Sequence, residues 1–331
     1  FCKTYPQEGL IMGNTPGHRV IVNDEEYASL FEQKGAKKLS EHLGVDVRSV
    51  YKKRRRIEKT LKTTLKPPIH EYNTNPPPVI GREDYKIKDG HIVIGSDAHY
   101  WPGYVSTAHR AFLHVIDKIK PECIVLNGDI LDGATISRHA PIGWETKPTL
   151  VEEIEVCQER LAEIESMAPA NSKFYWTLGN HDSRFETRLA NQAPEYASLH
   201  GTQLKDHFPY WNHCWSLWVN DEIVVKHRYK GGVHATHNNT VTAGKTMVTG
   251  HLHSAKVTPY TDYNGTRWGV DCGTMADAYG LQFATYMEDN PRNWRSAFCL
   301  LTIENGELHP PEIVYILGEN KAAFRGQYFK L

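Results

Sequence analysis

The chain has 331 residues, of which 40% are hydrophobic and 23% are charged, and its formal net charge at pH 7 is −1. These values are typical of a globular protein with one large core and a smaller appended unit, and they exclude a disordered or fibrous chain. No apolar stretch approaches the roughly 18 residues of a membrane span, so no membrane partner is expected.

Apolar residues at helical spacing predict three helices near the N-terminus. The first precedes Gly35, the second spans residues 36–43, and the third begins at Val47 and ends near residue 61. Asp46 is expected to cap the third helix through its carboxylate. The apolar residues predicted to face inward on this helix are Val47, Val50 and Ile57.

Positive charge is concentrated in the same region. Residues 34–66 hold twelve Lys and Arg residues against three acidic residues. The side chains predicted to be exposed on the third helix are Arg48, Ser49, Lys52 and Lys53. Residues 36–51 resemble a helix-turn-helix, whose third helix would contact DNA and gain phosphate affinity from its basic charge. The alternative is a basic three-helix appendage or a protein contact.

The chain divides into three predicted parts. Residues 1–66 form the basic helix-turn-helix-like domain. Residues 67–84 are rich in proline, which favours extended backbone, and we interpret them as a linker. Residues 85–331 form the second and larger domain.

Five short apolar runs in the larger domain each end in potential metal ligands. These are Asp97 and His99 after residues 92–96, Asp129 and Asp132 after 123–127, Asn180 and His181 after 173–177, His227 after 223–226, and His251 and His253 after 246–249. In α/β folds such strand ends meet at one edge of a sheet, so we expect these side chains to converge. Alternate side chains of an extended segment point the same way, which would let Asp97 and His99 face one ion together.

Helix and strand patterns alternate around these runs, as a layered α/β sandwich requires. Two apolar stripes predict crossover helices, namely Phe112, Val115, Ile116 and Ile119, and then Leu150, Ile154, Cys157, Leu161 and Ile164. Strand-like runs dominate after His253, at residues 256–261, 266–272, 297–303 and 312–317. We expect these runs to form a second, largely antiparallel sheet.

The polar strand ends read D-x-H, GDxxD, GNHD, a lone His and GHxH, in that order, over residues 97–253. This ordered set resembles the signature of the calcineurin-like metallophosphoesterases of phage and bacterial type. The resemblance implies an α/β fold with a four-layer sandwich of two mixed β-sheets flanked by helices, here with a small all-α N-terminal domain. It also implies two divalent metal ions, for which Mn is favoured and Fe, Zn or Ni are alternatives.

The same resemblance assigns a role to each motif residue. The first ion would be held by Asp97, His99, Asp129 and His253. The second would be held by Asp129, Asn180, His227 and His251. A hydroxide that bridges the ions would attack phosphorus in line, and His181 would protonate the leaving oxygen. Asp132 would orient the His181 imidazole, so that removal of either residue should reduce the rate more than metal affinity.

Several other side chains are candidates for contacts or for packing. The candidate substrate contacts are Arg138, His139 and His234. His234 could replace His227 as the lone ligand, but we prefer His227 because it directly ends a strand. His109 and His114 lie on a predicted helix and are expected to be packed or at the surface. Packing is also the preferred interpretation for Trp211, Trp215 and Trp218, over a base-stacking platform.

Two departures from the motifs of eukaryotic-type protein phosphatases narrow the function. Those enzymes read GDxxDRG and GNHE, whereas here Gly133 follows Asp132 and the third motif ends in Asp182. Together with the basic N-terminal segment, this favours a phosphodiesterase, and specifically a DNA nuclease. The alternatives are a phosphomonoesterase or a nucleotide or protein phosphatase tethered to DNA or a partner, and a DNA-binding protein whose phosphoesterase fold is only structural.

The cysteine pattern bears on location. The six cysteines are scattered without a C-x-x-C pair, at Cys2, Cys123, Cys157, Cys214, Cys272 and Cys299. This favours a reduced, cytoplasmic compartment, which would be the host cytoplasm if the chain is phage-encoded. DNA is the expected partner, and a homo-oligomer is left open.

Overall fold

The computed structural model of the chain describes residues 20–68, 81–140, 142–197, 199–283, 287 and 290–331. The chain divides into two units, residues 1–78 and residues 79–331. Most of the predicted linker, at residues 69–80, and the first 19 residues of the predicted N-terminal domain lie outside the described residues.

Helices and strands are numbered in chain order over the described residues. The helices are α1 (Asp24–Leu43), α2 (Val47–Leu61), α3 (Thr107–Ile119), α4 (Leu150–Met167), α5 (Arg184–Gln192), α6 (Leu204–His207) and α7 (Ala235–Ala243), with 3-10 turns at Pro194–Tyr196 and Leu281–Phe283. The strands are β1 (Arg82–Tyr85), β2 (Gly90–Gly95), β3 (Cys123–Leu126), β4 (Lys173–Thr177), β5 (Asn212–Cys214), β6 (Ser216–Val219), β7 (Ile223–Val225), β8 (Thr246–Thr249), β9 (Lys256–Asp262), β10 (Gly265–Asp271), β11 (Ala297–Glu304), β12 (Glu307–Leu308), β13 (Glu312–Gly318), β14 (Lys321–Phe324) and β15 (Gln327–Lys330). None of the helices in these ranges is long and apolar enough to cross a membrane.

The smaller unit contains the helices that the sequence predicts. Gly35 interrupts α1 with φ of 73° and ψ of 170°, a conformation that glycine adopts far more easily than other residues. The Asp46 side chain accepts a hydrogen bond from the Arg48 amide at 2.8 Å and caps α2 as expected. Apolar side chains from both helices meet in one core, which contains Tyr27, Phe31, Leu39, Leu43, Val50 and Ile57.

Two predictions on α2 need correction. Val47 is only half-buried, because it is the first residue of the helix and lies at the margin of the packed face. Lys53 was expected to be exposed for DNA, but its ammonium donates to the Val22 carbonyl at 3.1 Å. The same ammonium lies 4.7 Å from the centre of the Tyr27 ring, so Lys53 stabilises the fold of this unit.

The larger unit contains two mixed sheets. The first runs β15-β14-β13-β11-β2-β3-β4-β5, with β12 paired to β11, and its strands β2 to β5 are parallel. The second runs β1-β6-β7-β8-β10-β9 and combines parallel and antiparallel pairs. The four strands after His253 were predicted correctly, but the prediction that they form one second sheet was wrong. β9 and β10 join the second sheet while β11 and β13 join the first, because long-range pairing with β8 and β2 decides membership.

Four layers follow from the packing of these sheets. One core lies between the sheets and includes Ile92, Val125, Leu217, Val225 and Val248. A second core lies between the first sheet and α3 with α4, and includes Phe112, Ile116, Leu161 and Ile164. Helix α7 packs on the outer face of the second sheet against β8, β9 and β10. The predicted four-layer α/β sandwich with a helical N-terminal region is therefore confirmed.

The larger unit begins before the predicted boundary at residue 85. Strand β1 pairs in parallel with β6, from Arg82 opposite Ser216 to Tyr85 opposite Val219. The Arg82 guanidinium also lies 4.0 Å from the centre of the Trp218 ring. Because β1 contributes hydrogen bonds and packing to the second sheet, it is part of this unit and not of the linker.

A fragment that begins at Lys86 lacks β1, whereas one that begins at Val79 retains it. We expect the shorter fragment to lose about 2 kcal/mol of its free energy of unfolding, through the strand hydrogen bonds and the Arg82–Trp218 contact. In a chain of this size its Tm should then be about 4–8 °C lower. Equal Tm values for the two fragments would contradict the assignment of β1 to the larger unit.

Candidate metal centre

The loops after β2, β3, β7 and β8 bring two groups of potential ligands together, and a third group, His99 with Asp132 and His181, adjoins them. Asp97, His99 and His253 form one group, and Asp129, His227 and His251 form the other. Within each group the candidate ligand atoms lie within 4.8 Å of one another. The predicted convergence of the strand-end loops is therefore present in the structure.

Contacts within and between the groups are short. His253 Nε2 lies 3.0 Å from Asp97 Oδ1. His227 Nε2 lies 3.1 Å from Asp129 Oδ2 and 4.0 Å from Asp97 Oδ1, so the two groups share one centre. Asp97 and Asp129 are almost completely buried, which makes their surroundings decisive for their charge.

The backbone at this centre has an unusual conformation. Positive φ angles occur at Asp97 (54°), His99 (40°), Asp129 (52°), His251 (71°) and His253 (54°). Asp97 and His99 therefore do not face one ion by alternation along an extended segment, and that expectation was wrong. A left-handed conformation costs roughly 1–2 kcal/mol for such residues, and clusters of this kind mark functional sites.

Two motif glycines allow the loops to approach the buried carboxylates. A Cβ atom on Gly179 would lie 2.1 Å from Asp129 Oδ1. A Cβ atom on Gly250 would lie 2.4 Å from Asp97 Oδ2. Because real Cβ atoms do not approach oxygen so closely, any side chain at either position would displace a carboxylate of the centre.

Unpartnered polar atoms indicate that the centre fits a cation. Asn180 Oδ1 and His227 Nε2 are both buried and have no hydrogen-bond partner among the described residues. The neighbour of His227 Nε2 is the Asp129 carboxylate, at 3.1 Å, so this nitrogen faces the buried negative charge. The His227 Nδ1 atom contacts the Asn127 carbonyl at 2.8 Å, which directs Nε2 inward. Such atoms are costly when unpaired and are ligands of the type that divalent transition metals accept.

Electrostatics within the centre support the same conclusion. Burial would raise the pKa of Asp97, but the imidazoles of His253 and His227 lower this pKa to about 2. Burial would lower the pKa of His227, but the carboxylates of Asp129 and Asp97 raise it to about 10. The proton on His227 thus balances buried negative charge, and a cation at this position would displace it.

Asp132 contacts two histidines rather than one. Its Oδ1 atom lies 3.1 Å from His181 Nδ1, as its predicted orienting role requires. The same atom lies 2.8 Å from His99 Nδ1. Asp132 therefore orients a candidate ligand as well as His181, and the expectation that its removal would spare metal affinity needs revision.

Arg184 is a functional candidate that the sequence reasoning missed. Its Nη1 atom donates to the Asp132 carbonyl at 2.9 Å, and its Nη2 atom lies 3.1 Å from His181 Nε2. A guanidinium beside this imidazole is placed to meet a phosphate oxygen. The available signal was its position two residues after the GNHD motif, at the first residue of α5.

Asp182 holds the second and third motif loops together. Its buried carboxylate accepts hydrogen bonds from the amides of Asp129, Ile130, Leu131 and Gly179 and from the Trp176 indole, at 2.7–3.1 Å. These contacts position the Asp129 backbone. The fourth letter of the GNHD motif is therefore a structural requirement of the centre.

Glu153 performs a similar role for the loop after Asp132. It is fully buried on α4 and accepts from the amides of Gly133 at 2.5 Å and Ala134 at 2.9 Å. Burial and the charge of Asp132 raise the pKa of Glu153 to about 7. The available sequence signal was its position, three residues after Leu150 and four before Cys157, on the apolar stripe predicted for this helix.

The remaining candidates lie in varied surroundings. His139 lines a cavity of about 430 Å³ next to the centre, whereas Arg138 and His234 are exposed and do not line it. Among the third-helix residues, Arg48 and Lys52 are exposed and Ser49 is half-buried.

The packing predictions agree with the structure for Trp211, Trp218, His109 and His114, but not for Trp215. Trp211 is buried and donates to Glu165 at 2.8 Å, and Trp218 is covered by Arg82, whereas Trp215 is exposed. His109 is buried between Tyr100 and Glu163, and His114 stacks on Phe329.

The chain is similar to several known proteins. The model of the calcineurin-like phosphoesterase family matches residues 90–255. The chain is 27% identical to the Gene 54 protein of Mycobacterium phage L5 over 241 residues, which cover 63% of this chain and 87% of that protein. It is 24% identical to the Gene 54 protein of Mycobacterium phage D29 over 231 residues, with the same coverage. A zinc-complexed Vps29 from Entamoeba histolytica aligns with a TM-score of 0.37 and 12% identity, over 72% of this chain and 95% of that one.

Replacing Asp182 by asparagine tests the contacts that position Asp129. An amide group has one acceptor oxygen and would direct N–H donors at backbone N–H groups, so we expect a loss of about 3 kcal/mol in free energy of unfolding. Urea denaturation would measure it. Asp206→Asn is the matched control, because Asp206 accepts from only two amides, those of Gly201 and Gln203, and is less buried than Asp182. Its substitution should destabilise the protein clearly less than Asp182→Asn does. Equal costs for the two variants would contradict the role of Asp182.

Proposed function

Because the chain belongs to the calcineurin-like phosphoesterase family, we propose that it is a metal-dependent phosphodiesterase and that its substrate is DNA. Family membership makes it a phosphoester hydrolase. The observation that carries the proposal is the pair of neighbouring carboxylate–imidazole groups, with buried oxygen and nitrogen atoms that have no hydrogen-bond partner among the described residues. The choice of a diester, and of DNA, rests on the basic N-terminal unit.

The proposed ligands divide into two sets that share Asp129. The first set is Asp97, His99, Asp129 and His253, and the second is Asp129, Asn180, His227 and His251. Two divalent cations bound there would neutralise charge on the phosphoryl group and lower the pKa of the attacking water. Oxygen and imidazole donors without thiolate favour Mn²⁺, and they also accept Fe, Zn or Ni.

His181 is the proposed proton donor to the leaving oxygen. Its Nδ1 atom lies 2.8 Å from the Asp132 carbonyl and 3.1 Å from Asp132 Oδ1, so Nε2 is the ring nitrogen that faces away from Asp132 and toward Arg184 Nη2, at 3.1 Å. A substrate phosphate would take over the Arg184 hydrogen bond and leave Nε2 to exchange a proton with the leaving oxygen. Burial would lower the pKa of His181, but Asp129 and Asp132 raise it. A raised pKa increases the protonated fraction at neutral pH. Arg184 would contact a phosphate oxygen beside it.

The smaller unit supports a polyanionic substrate. Exposed basic residues recur on one face of α2 at intervals of three or four, namely Arg48, Lys52, Arg55 and Lys59. Side chains at this spacing share a face of the helix and can contact successive phosphates. This unit is proposed to bind DNA by phosphate contacts and to raise the local concentration of diester at the metal centre.

A comparison of substrates tests the proposed reaction. With Mn²⁺ present, we expect the protein to hydrolyse bis-p-nitrophenyl phosphate faster than p-nitrophenyl phosphate and to cleave single- or double-stranded DNA. Asp129→Ala should abolish all of these activities, because the shared ligand is lost. Deletion of residues 1–78 should weaken DNA binding and reduce its dependence on salt, but leave hydrolysis of the small diester unchanged.

Two results would overturn parts of this proposal separately. Preference for the monoester, with DNA uncleaved under each metal tested, would favour the phosphatase alternative. Diester hydrolysis together with unchanged DNA affinity after deletion of residues 1–78 would remove the nucleic-acid role of the smaller unit. The double variant R48Q/K52Q is the matched control for that deletion, since it removes charge and keeps the helices.

His181 and Asp132 should differ in the kinetic step that they affect. His181→Asn should slow DNA cleavage by about 100-fold or more, because an alkoxide must be protonated as it leaves. Its effect on bis-p-nitrophenyl phosphate should be much smaller, since p-nitrophenolate needs little protonation. Asp132→Asn should slow both substrates and also weaken Mn²⁺ binding by about tenfold, through His99. Calorimetric Mn²⁺ titration measures this affinity, and an unchanged value in Asp132→Asn would contradict the dual role.

A further inference from the structure

The cavity beside the candidate metal centre has an aromatic side. Its volume is about 430 Å³, within the range of small-molecule sites. Trp101, Phe283 and Trp294 line it together with His99 and His253 from the centre. An aromatic surface this close to the ligands is not needed to hold a cation, so it requires a separate explanation.

The aromatic rings extend directly from the candidate ligands. The Phe283 ring centre lies 5.1 Å from that of His99 and 5.1 Å from that of Trp294. Trp294 lies 4.7 Å from His253. Trp101 follows two residues after His99 and is half-buried, so part of its ring surface faces solvent or the cavity. A group bound against this side would be adjacent to a phosphoryl group at the centre.

Charged side chains also line this cavity. They include Lys147 and Arg184 together with the carboxylates of Asp129, Asp132 and Glu145. Lys147 pairs with Glu145 at 2.5 Å, whereas the Arg184 guanidinium contacts a carbonyl oxygen and a ring nitrogen in the hydrogen bonds described above. The cavity thus combines flat aromatic surface with a guanidinium and the candidate metal ligands, which suits a planar group attached to a phosphate.

We propose that this cavity binds the nucleobase of the nucleotide that carries the scissile phosphate, with Trp101 as the principal stacking residue. The inference rests on the proposed phosphodiesterase function and names the substrate class as nucleotidyl esters. A nucleobase is planar and has two π-faces, so it stacks on an aromatic side chain without regard to its identity. Its phosphate is anionic and would lie toward Arg184 and the metal ligands.

Trp101 is the residue best suited to a test. Phe283 and Trp294 contact His99 and His253, so their substitution would disturb the centre itself. No ring contact of Trp101 with a ligand is found among the described residues. Trp101→Leu removes the π-face, and Trp101→Phe retains one. Trp215→Leu is the matched control, because Trp215 is an exposed tryptophan that does not line the cavity.

The decisive experiment compares an ester that carries a nucleoside with one that carries only a methyl group, and the Trp101 variants then isolate the contribution of the base. Thymidine 5′-(p-nitrophenyl phosphate) carries a nucleobase, whereas methyl p-nitrophenyl phosphate does not, and both release the same phenolate. The full-length protein with Mn²⁺ should show a KM for the thymidine ester about tenfold lower than for the methyl ester. Trp101→Leu should raise only the KM of the thymidine ester, with kcat little changed. Trp101→Phe should restore most of the difference, and Trp215→Leu should behave as wild type.

A spectroscopic measurement tests stacking directly. Emission from 2-aminopurine deoxyriboside 5′-monophosphate falls when the base stacks, and this nucleotide has no diester to cleave. With diamagnetic Mg²⁺ in place of Mn²⁺, wild type and Trp101→Phe should quench this emission, and Trp101→Leu should not.

The outcomes separate this inference from the proposed function. If neither ester is hydrolysed, the phosphodiesterase proposal fails. If both are hydrolysed with equal KM by the wild-type protein, phosphodiesterase activity stands and base binding is overturned, a result that needs no variant. A Trp101→Leu protein with equally raised KM for both esters would also overturn it, because the residue would then support the centre as a whole. A lower KM for aryl phosphopeptides than for the thymidine ester would instead assign the cavity to a peptide substrate.

Discussion

Two buried carboxylates, Asp97 and Asp129, lie on either side of the His227 imidazole, whose Nε2 atom is 4.0 Å from one and 3.1 Å from the other. Two carboxylates that share one buried imidazole repel each other unless positive charge lies between them. A proton on His227 can supply that charge, because the carboxylates of Asp129 and Asp97 raise the pKa of its imidazole despite burial. The same requirement makes the position attractive for a divalent cation. The centre is therefore arranged around buried negative charge, and much of the larger unit holds the two carboxylates in position.

Several structural costs are accepted for this purpose. Five residues of the candidate centre have positive φ. Backbone hydrogen bonds hold two of them: the Asp97 amide donates to the Gly128 carbonyl at 2.9 Å, and the His99 amide donates to the Asp129 carbonyl at 3.0 Å. A third buried carboxylate, that of Asp182, accepts hydrogen bonds from four backbone amides and the Trp176 indole. The sandwich offsets these unfavourable free energies, because its two large apolar cores stabilise the strands whose ends carry the strained loops.

The sequence predicted which residues meet at the centre but not why they can meet. Short apolar strands followed by Asp, Asn and His indicated the edge of a sheet, and the motif order indicated the family. The reason offered for Asp97 and His99 was wrong, because side-chain alternation assumes extended backbone and these residues are left-handed. Other features depend on pairings between segments that are distant in the sequence. They are the sheet membership of β9 to β13, the contact between Asp132 and His99, and the roles of Arg184 and Glu153. Local periodicity contains no information about such pairings.

The basic residues of the smaller unit show a related limit of prediction from helical spacing. Lys52 and Lys53 are adjacent on α2 and were both expected to be exposed, yet Lys52 is exposed and Lys53 donates to a carbonyl of the same unit. A lysine can bury its stem over an aromatic ring and still satisfy its ammonium on the backbone, so basic residues are not all available to a ligand. The exposed subset forms a narrower stripe than the composition suggests. In the proposed function, phosphate contacts from so narrow a stripe would supply affinity without sequence preference, and selectivity for the substrate would come from the cavity beside the metal centre.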